Sequence, residues 1–298
     1  MQDQAQLLWD DVRLFLALFR ASSVGNAAKS LGVDGSTVSR RLALLEDALA
    51  VSLFDRGRAG ITPTKAAEDL VPVAERIEAG MFEFTSAAEN LEREVAGLVR
   101  ITCPPDVAEV VVVPLLSELF RRYAALRVEL DAGESVLDLT RREADLALRT
   151  LRPQRGDLIV TRLRSVSWIL AGAPRLVQKL GTLRAWADAP WVSGAERWAQ
   201  TSPGRWREKH VKGSEPRVRS DSLRLQLAAL ANGAGVGLVP EPSLPHYGLV
   251  PVKLAPGLRT QAEAWPEDEL YLVTHRALRE VPRVRVVWEL LRSRLATE

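Results

Sequence analysis

Ser36, Thr37, Ser39, Arg40 and Arg41 crowd into the stretch STVSRR, and together those side chains offer the chemistry of duplex-DNA recognition. Small hydroxyl groups near a helix start allow close approach to the major groove, and an arginine forks onto guanine O6 and N7 or onto a phosphate. Arg40 is the strongest single candidate. Further on, DRGRAG (residues 55–60) sets Arg56 and Arg58 among glycines, a basic tip suited to phosphates or the minor groove, which adds affinity with little sequence discrimination. Taken alone, that stretch reads more readily as an ordinary basic turn.

To present a polar face, these residues need a helix held from behind. Ala28 and Leu31 give one helix an apolar stripe, Gly32 offers the positive φ needed to leave it, Val33 plugs the turn, and Val38, Leu42 and Leu45 form a second stripe at helical period. Asp34 is placed to cap the second helix through the N–H of Ser36 or Thr37. The spacing predicts a helix-turn-helix, although a solvated helical hairpin has the same spacing. Val12, Phe15, Leu16 and Phe19 supply a preceding helix. Val51, Leu53 and Phe54 read as a strand, with Ile61 and Thr62 as its return, so the basic tip becomes a wing beside the second helix.

From Leu70 the apolar residues Leu70, Ala74, Ile77, Met81, Phe84, Ala88 and Leu91 alternate spacings of four and three, the seam of a coiled coil. So narrow a stripe implies a partner helix, either a second copy of the chain or the chain's own domains. Pro72 interrupts the pattern at a cost of about 3 kcal/mol if fully interior, so the long coiled part is expected to begin just after it.

The remainder alternates strand-like and helix-like segments. Strands are expected at Leu98 to Cys103, Arg127 to Leu130 and Ala144 to Arg149, with helices at Val107 to Tyr123 and Ser135 to Arg142 between them, a βαβαβ unit with a parallel sheet. A second unit starts with a strand from Trp168 to Ala171 and a helix from Arg175 to Leu180. It continues with strands near Trp191 and Val192, at Arg217 to Ser220 and at Gly237 to Val239, and a helix from Ser222 to Ala231. Leu270 to Thr274 and the helix Pro282 to Leu295 close the chain. Two such lobes enclose a cleft, and ligands of such sheets sit at the carboxyl ends of strands.

The order of parts resembles the LysR-type transcriptional regulators. The residues that carry the resemblance are Asp11 to Phe15, Ala27 and Ala28 with Leu31, Ser36 to Arg41, the pair Leu45 and Glu46, Leu53 to Arg56, and the closing Thr62-Pro-Thr. Agreement is specific over residues 8 to 91 and looser but continuous to the C-terminus. One departure stands out: the family usually opens its recognition helix with a Ser-Gln-Pro-like sequence, and here Asp34, Gly35 and Ser36 hold those places, so the base-contacting amide is absent at Gly35.

The resemblance implies an α/β chain in three parts: a helical winged helix-turn-helix DNA-binding domain (1–64), a long linker helix that pairs protomers (65–94), and a two-lobed, periplasmic-binding-protein-like effector domain (95–298). Lobe I covers about 95–163 and 269–298, and lobe II about 164–268. It also implies that effector sites are built at Thr102, Cys103, Pro104, Arg149, Thr150, Ser193, Gly194, Asp221 and Ser222. For each of these, ordinary capping or loop chemistry is an equal reading. Ser222 near a helix start and the charge of Arg149 favour an acidic effector, such as a carboxylate. Trp191, Trp198 and Trp206 are expected in the core of the second lobe rather than in a pocket.

The expected protein is therefore a non-enzymatic, cytoplasmic regulator that needs no cofactor or metal. Its partners are an inverted-repeat operator in double-stranded DNA, a small-molecule effector, a second copy of itself in a homodimer or homotetramer, and RNA polymerase if the output is activation. The alternative is a small-molecule-binding protein or enzyme of α/β type whose N-terminal unit only dimerises. Composition decides little between them, because the seven basic side chains of residues 1 to 64 are matched by seven acidic ones. His210, His246 and His275 lack metal-ligand spacing, and the glycines of NGAGVGLVP follow a helix and enter a strand, the reverse of a dinucleotide loop. No stretch reaches the roughly eighteen apolar residues of a membrane span. The single cysteine, Cys103, excludes an intramolecular disulfide framework and is expected to be buried and inert.

Overall fold

The computed structural model describes residues 7–57, 60–89, 94–133, 139, 143–153 and 156–296, the side chains of Arg56, Ser86, Glu89 and Arg197 excepted. Two compact units result, Met1–Leu91 and Glu92–Glu298.

In the first unit, left-handed residues end the first three helices. α1 (Trp9–Ala21) stops at Ser22 (φ 48°), α2 (Val24–Leu31) at Gly32 (φ 68°) and α3 (Gly35–Leu49) at Ala50 (φ 53°). Gly32 adopts this conformation freely, whereas an L side chain there costs about 1 kcal/mol or more. Phe15, Leu16, Ala28, Val38, Leu42 and Leu45 are buried in one core, with Val12, Phe19 and Leu31 packed against it. Val33 differs from the expectation: its side chain is exposed, and its backbone N–H closes the turn by donating to the Ala28 carbonyl at 3.1 Å. Asp34 holds the N-cap position with extended backbone, but its side chain makes no capping bond.

The wing is β1 (Phe54–Gly57) against antiparallel β2 (Gly60–Pro63). β1 begins at Phe54 rather than Val51, because Glu46 Oε1 accepts the backbone N–H groups of Leu53 at 2.6 Å and Phe54 at 3.1 Å and ties the strand start to α3. α4 (Lys65–Glu89) follows. Thr64 Oγ1 accepts the Ala67 N–H, and the Thr64 N–H donates to the Leu53 carbonyl, so the wing sets where α4 starts. Consequently α4 does not wait for Pro72; it runs through it. The bond that Pro72 cannot donate falls to Glu68, an exposed residue whose carbonyl water can serve. Arg20 on α1 grips Glu78 on α4 through two bonds, 2.9 and 2.6 Å.

The second unit begins with β3 (Gly97–Thr102), a short α5 (Pro105–Val107), one π turn (Ala108–Val112) and α6 (Val113–Arg122). Pro114 accounts for the π turn: its ring has no N–H for the Val110 carbonyl and would clash with it in a regular α-helix. Then come β4 (Leu126–Asp131), β5 (Leu146–Arg149) and the long β6 (Leu158–Gly172). The helix expected at 135–142 lies outside the described residues except for Leu139. Lobe II continues with α7 (Pro174–Leu180), β7 (Thr182–Leu183), β8 (Val192–Gly194), α8 (Ser202–His210), β9 (Val218–Ser220), α9 (Leu223–Ala231) and β10 (Val236–Pro240). It is completed by α10 (Ser243–Tyr247), β11 (Val250–Pro251), β12 (Lys253–Leu254) and α11 (Pro256–Ala262). β13 (Glu267–His275) and α12 (Pro282–Leu295) return to lobe I.

The main sheet runs β10-β6-β13-β5-β3-β4. β3, β4 and β5 are parallel as expected, while β13 lies antiparallel to both β5 and β6. The segment Trp168 to Ala171 does not open a new strand. It ends β6, whose first part pairs with β13 and whose last residues, Trp168 to Gly172, pair with β10. β6 and β13 are thus the crossover between lobes.

Candidate nucleic-acid interface and effector cleft

On α3, Ser36 and Arg40 are exposed while Thr37 and Ser39 are half-buried, leaving the N-terminal half of the helix with a polar face toward solvent. Arg40 makes no hydrogen bond or ion pair among the described residues. Arg41 departs from expectation: its guanidinium pairs with Asp11 at 3.2 Å and approaches Asp10 at 3.9 Å. Acids of α1 therefore already engage it. Arg56 lies in β1, its backbone opposite Ile61; Arg58 lies outside the described residues.

The seam residues divide. Leu70, Ile77 and Phe84 are exposed on α4, at 37%, 44% and 71%, and Val73 joins them at 41%. Ala88 is exposed and Met81 half-buried. Ala74, however, is buried in the core of the helix-turn-helix, and Phe82, off the expected seam, is buried as well. Leu91 is not among the described residues.

Between the lobes of the second unit lies a cavity of about 390 Å³. Its floor is one face of the crossover strands. Arg164, Val166 and Trp168 alternate along β6, Asp268 and Leu270 along β13, and the register sets Asp268 opposite Val166 and Leu270 opposite Arg164. Val107, Val110 and Val111 wall the lobe I side; Trp198, Thr201, Asp221, Ser222 and Ser243 wall the lobe II side. Of the sequence-predicted residues, the structure brings Pro104, Thr150, Asp221 and Ser222 to this cleft. Thr102, Cys103 and Arg149 face a neighbouring recess of about 410 Å³ that Pro104 and Thr150 share. Ser193 and Gly194, on β8 beside β9, line a third cavity of about 220 Å³ within lobe II, and Trp198 borders both it and the cleft.

Ser222 Oγ caps α9 by accepting the Leu225 N–H at 3.4 Å. Trp168 Nε1 donates to Asp268 Oδ2 at 2.8 Å and Ser202 Oγ to Oδ1 at 3.1 Å, so the Asp268 carboxylate is fixed from both sides. Trp198 stands edge-on to Trp168 with ring centroids 6.2 Å apart, its Nε1 donating to the Asp221 carbonyl at 2.8 Å. Trp191 and Trp206 do fill the core of lobe II, with Trp186, but Trp198 belongs to the cleft. Arg164 Nε is buried without a hydrogen-bond partner. Burial raises the Asp106 carboxyl above its usual range, against the bonds it receives from the backbone N–H groups of Asp106 and Val107. Burial, followed by the charges of Asp106 and Asp131, pushes the Cys103 thiol up to about 12.

Sequence reasoning missed Arg164, Trp168 and Asp268. The available signal was the two-residue alternation Arg164-x-Val166-x-Trp168, once those residues are known to belong to a crossover strand. No cluster of metal-ligating side chains occurs among the described residues, and no described helix is long and apolar enough to cross a membrane.

Comparison with known proteins agrees with this architecture. Residues 9–68 match the bacterial regulatory helix-turn-helix protein, lysR family, and residues 92–296 match the LysR substrate binding domain. The Mau operon transcriptional activator of Paracoccus denitrificans is 27% identical over 281 residues, covering 94% of this chain and 93% of that protein. The regulator PtxR of Pseudomonas aeruginosa is 27% identical over 295 residues, covering 95% of this chain and 92% of that protein. Among solved structures, CrgA, a LysR-type transcriptional regulator from Neisseria meningitidis, shares the fold at a TM-score of 0.58 and 18% identity, over 98% of this chain and all of that one. The helix-turn-helix with its wing, the long α4 and the two-lobed α/β unit are the parts of a DNA-binding transcriptional regulator with a small-molecule domain, and the chain belongs to the LysR family.

Proposed function

We propose that the chain binds an inverted-repeat operator as a homo-oligomer and that a small organic acid, seated in the cleft between the lobes, adjusts that binding. The observation that carries the effector assignment is Arg164, the one guanidinium among the described residues lining the cavity of about 390 Å³, with its Nε buried behind that lining. A guanidinium lining an apolar cleft pairs with a carboxylate through charge-assisted hydrogen bonds, which suits an acidic effector. Arg149, favoured from sequence for this role, faces the adjacent recess instead. Trp168 and Trp198 offer apolar surface to the body of the ligand, and the fixed Asp268 carboxylate offers an acceptor. The ligand class is thus an acid that also carries a hydroxyl or amine donor.

The exposed stripe Leu70, Val73, Ile77 and Phe84 on α4 supports self-association, which puts two α3 helices on a two-fold axis. Domain limits of 1–64, 65–94 and 95–298 suit this division of labour. The likeness to a transcriptional activator favours activation, with RNA polymerase as a further partner. Effector and operator are coupled only so far as the ligand binds two arrangements of the protein unequally.

Calorimetric titration of hydroxy- and amino-substituted small carboxylates into the full chain tests the assignment. A ligand that binds wild type and loses tenfold or more against Arg164→Gln supports it. Equal binding to both proteins removes Arg164 from the site.

A further inference from the structure

The lobes also meet outside the cleft floor, at one carboxylate. Glu109 sits in the π turn of lobe I, next to Val110 and Val111 of the cleft wall. Its Oε1 lies 3.0 Å from His246 Nε2, and its Oε2 accepts the Tyr247 hydroxyl at 3.1 Å, both on α10 of lobe II. Arg224 Nε, on α9 of lobe II, reaches the same Oε2 at 2.9 Å. Both lobe II helices begin at cleft residues, α9 at Leu223 and α10 at Ser243. The cluster therefore spans the rim of the cavity.

The placement is specific. A π turn adds a residue to the helical repeat and recurs at functional positions; here it holds Glu109 and two of the wall valines, Val110 and Val111, on one short segment. Among the described residues, the groups facing Glu109 from lobe II are a hydroxyl, an imidazole and a guanidinium, each able to donate. Breaking this contact frees one lobe edge from the other without touching the cavity lining.

We propose that Glu109 is a latch that ties lobe I to lobe II across the cleft rim and sets how far the cleft opens. The functional consequence rests on reading the cleft as the effector site; the latch itself does not. Closing it restricts the opening through which an effector enters and leaves, and releasing it shifts the hinge population toward open forms.

The test needs no effector. Spin labels at Arg121→Cys on α6 and Lys179→Cys on α7, both exposed, report the distance between lobes in the full chain, while buried Cys103 stays unlabelled. Glu109→Ala is expected to give a longer and broader distance distribution than the unsubstituted protein, with Tyr247→Phe intermediate. An unchanged distribution in Glu109→Ala, with the circular dichroism of the parent, overturns the latch. If Glu109→Ala does not fold, Arg224→Ala carries the same test from an exposed position, and an unchanged distribution there counts equally against it. Failure of every carboxylate to bind, with the distances shifted as expected, refutes the effector reading and leaves the latch standing.

Discussion

Arg41 Nη2 stands 3.2 Å from Asp11 Oδ1, so the second arginine of the recognition helix is tied to α1. Arg40, one residue earlier, is exposed and unpaired among the described residues. Arg40→Ala should cost about 1–3 kcal/mol on the operator and little on random duplex, as expected for a base contact. Arg41→Ala should weaken operator and random DNA alike and lower stability by about 1 kcal/mol or less, the usual worth of a partly exposed pair. Fluorescence anisotropy on both duplexes and urea unfolding separate the two; a specific loss on the operator from Arg41→Ala contradicts the assignment.

Gly35 stands where the family's opening amide belongs, and the structure leaves room for a side chain. A Cβ built there meets only Val24 Cγ1, at 3.6 Å, an ordinary contact. Gly35→Gln should therefore fold with unchanged or slightly raised stability and shift base preference at one position of each half-site. Selection of bound sequences from a random pool reads the shift, and an identical consensus for both proteins sinks it.

Cys103 is buried beside Asp106 and Asp131, and its thiol is pushed up to about 12. Because the thiolate is the nucleophile, native protein at neutral pH should react with a disulfide reagent only after unfolding. Stoichiometric labelling of the folded chain at pH 7 would show that the thiol is accessible and ionisable.

The Glu109 carboxyl is held below its ordinary value near 4.5 by the hydrogen bond with His246, then by Tyr247 and the charge of Arg224. A depressed carboxyl contributes stability that is complete above its unfolded value and disappears as pH falls through its folded one. The stability difference between wild type and Glu109→Gln should accordingly be larger at pH 7 than at pH 3. Denaturant titrations at the two pH values measure it, and a difference that grows on acidification contradicts the arrangement.

The helix-turn-helix was legible because its determinants are local: a left-handed glycine at 32, and stripes at Ala28, Val38 and Leu42 with helical period. The pairing of α12 with its predicted bounds is equally local, its core residues Val284, Val287, Trp288 and Leu291 following one stripe. The cleft and the wall residues Pro104, Thr150, Asp221 and Ser222 were legible too, but its floor was not, because that depends on which strand crosses between lobes. Arg164, Trp168 and Asp268 become neighbours only through the register of β6 and β13. Arg149 read as a cleft charge because β5 ends near it, but the crossover places Arg164 there first. Likewise Asp11 and Arg41 are far apart in sequence, so nothing local showed that this arginine was engaged.

Recognition of an operator by paired α3 helices is read out by recovering DNA fragments bound across the genome, for wild type and Arg40→Ala. Wild type should enrich fragments sharing an inverted repeat with half-sites about one helical turn apart, and Arg40→Ala should lose this enrichment while keeping weak, sequence-independent binding. Enrichment of the same repeat by both proteins, or no shared repeat at all, would contradict recognition by paired α3 helices through Arg40.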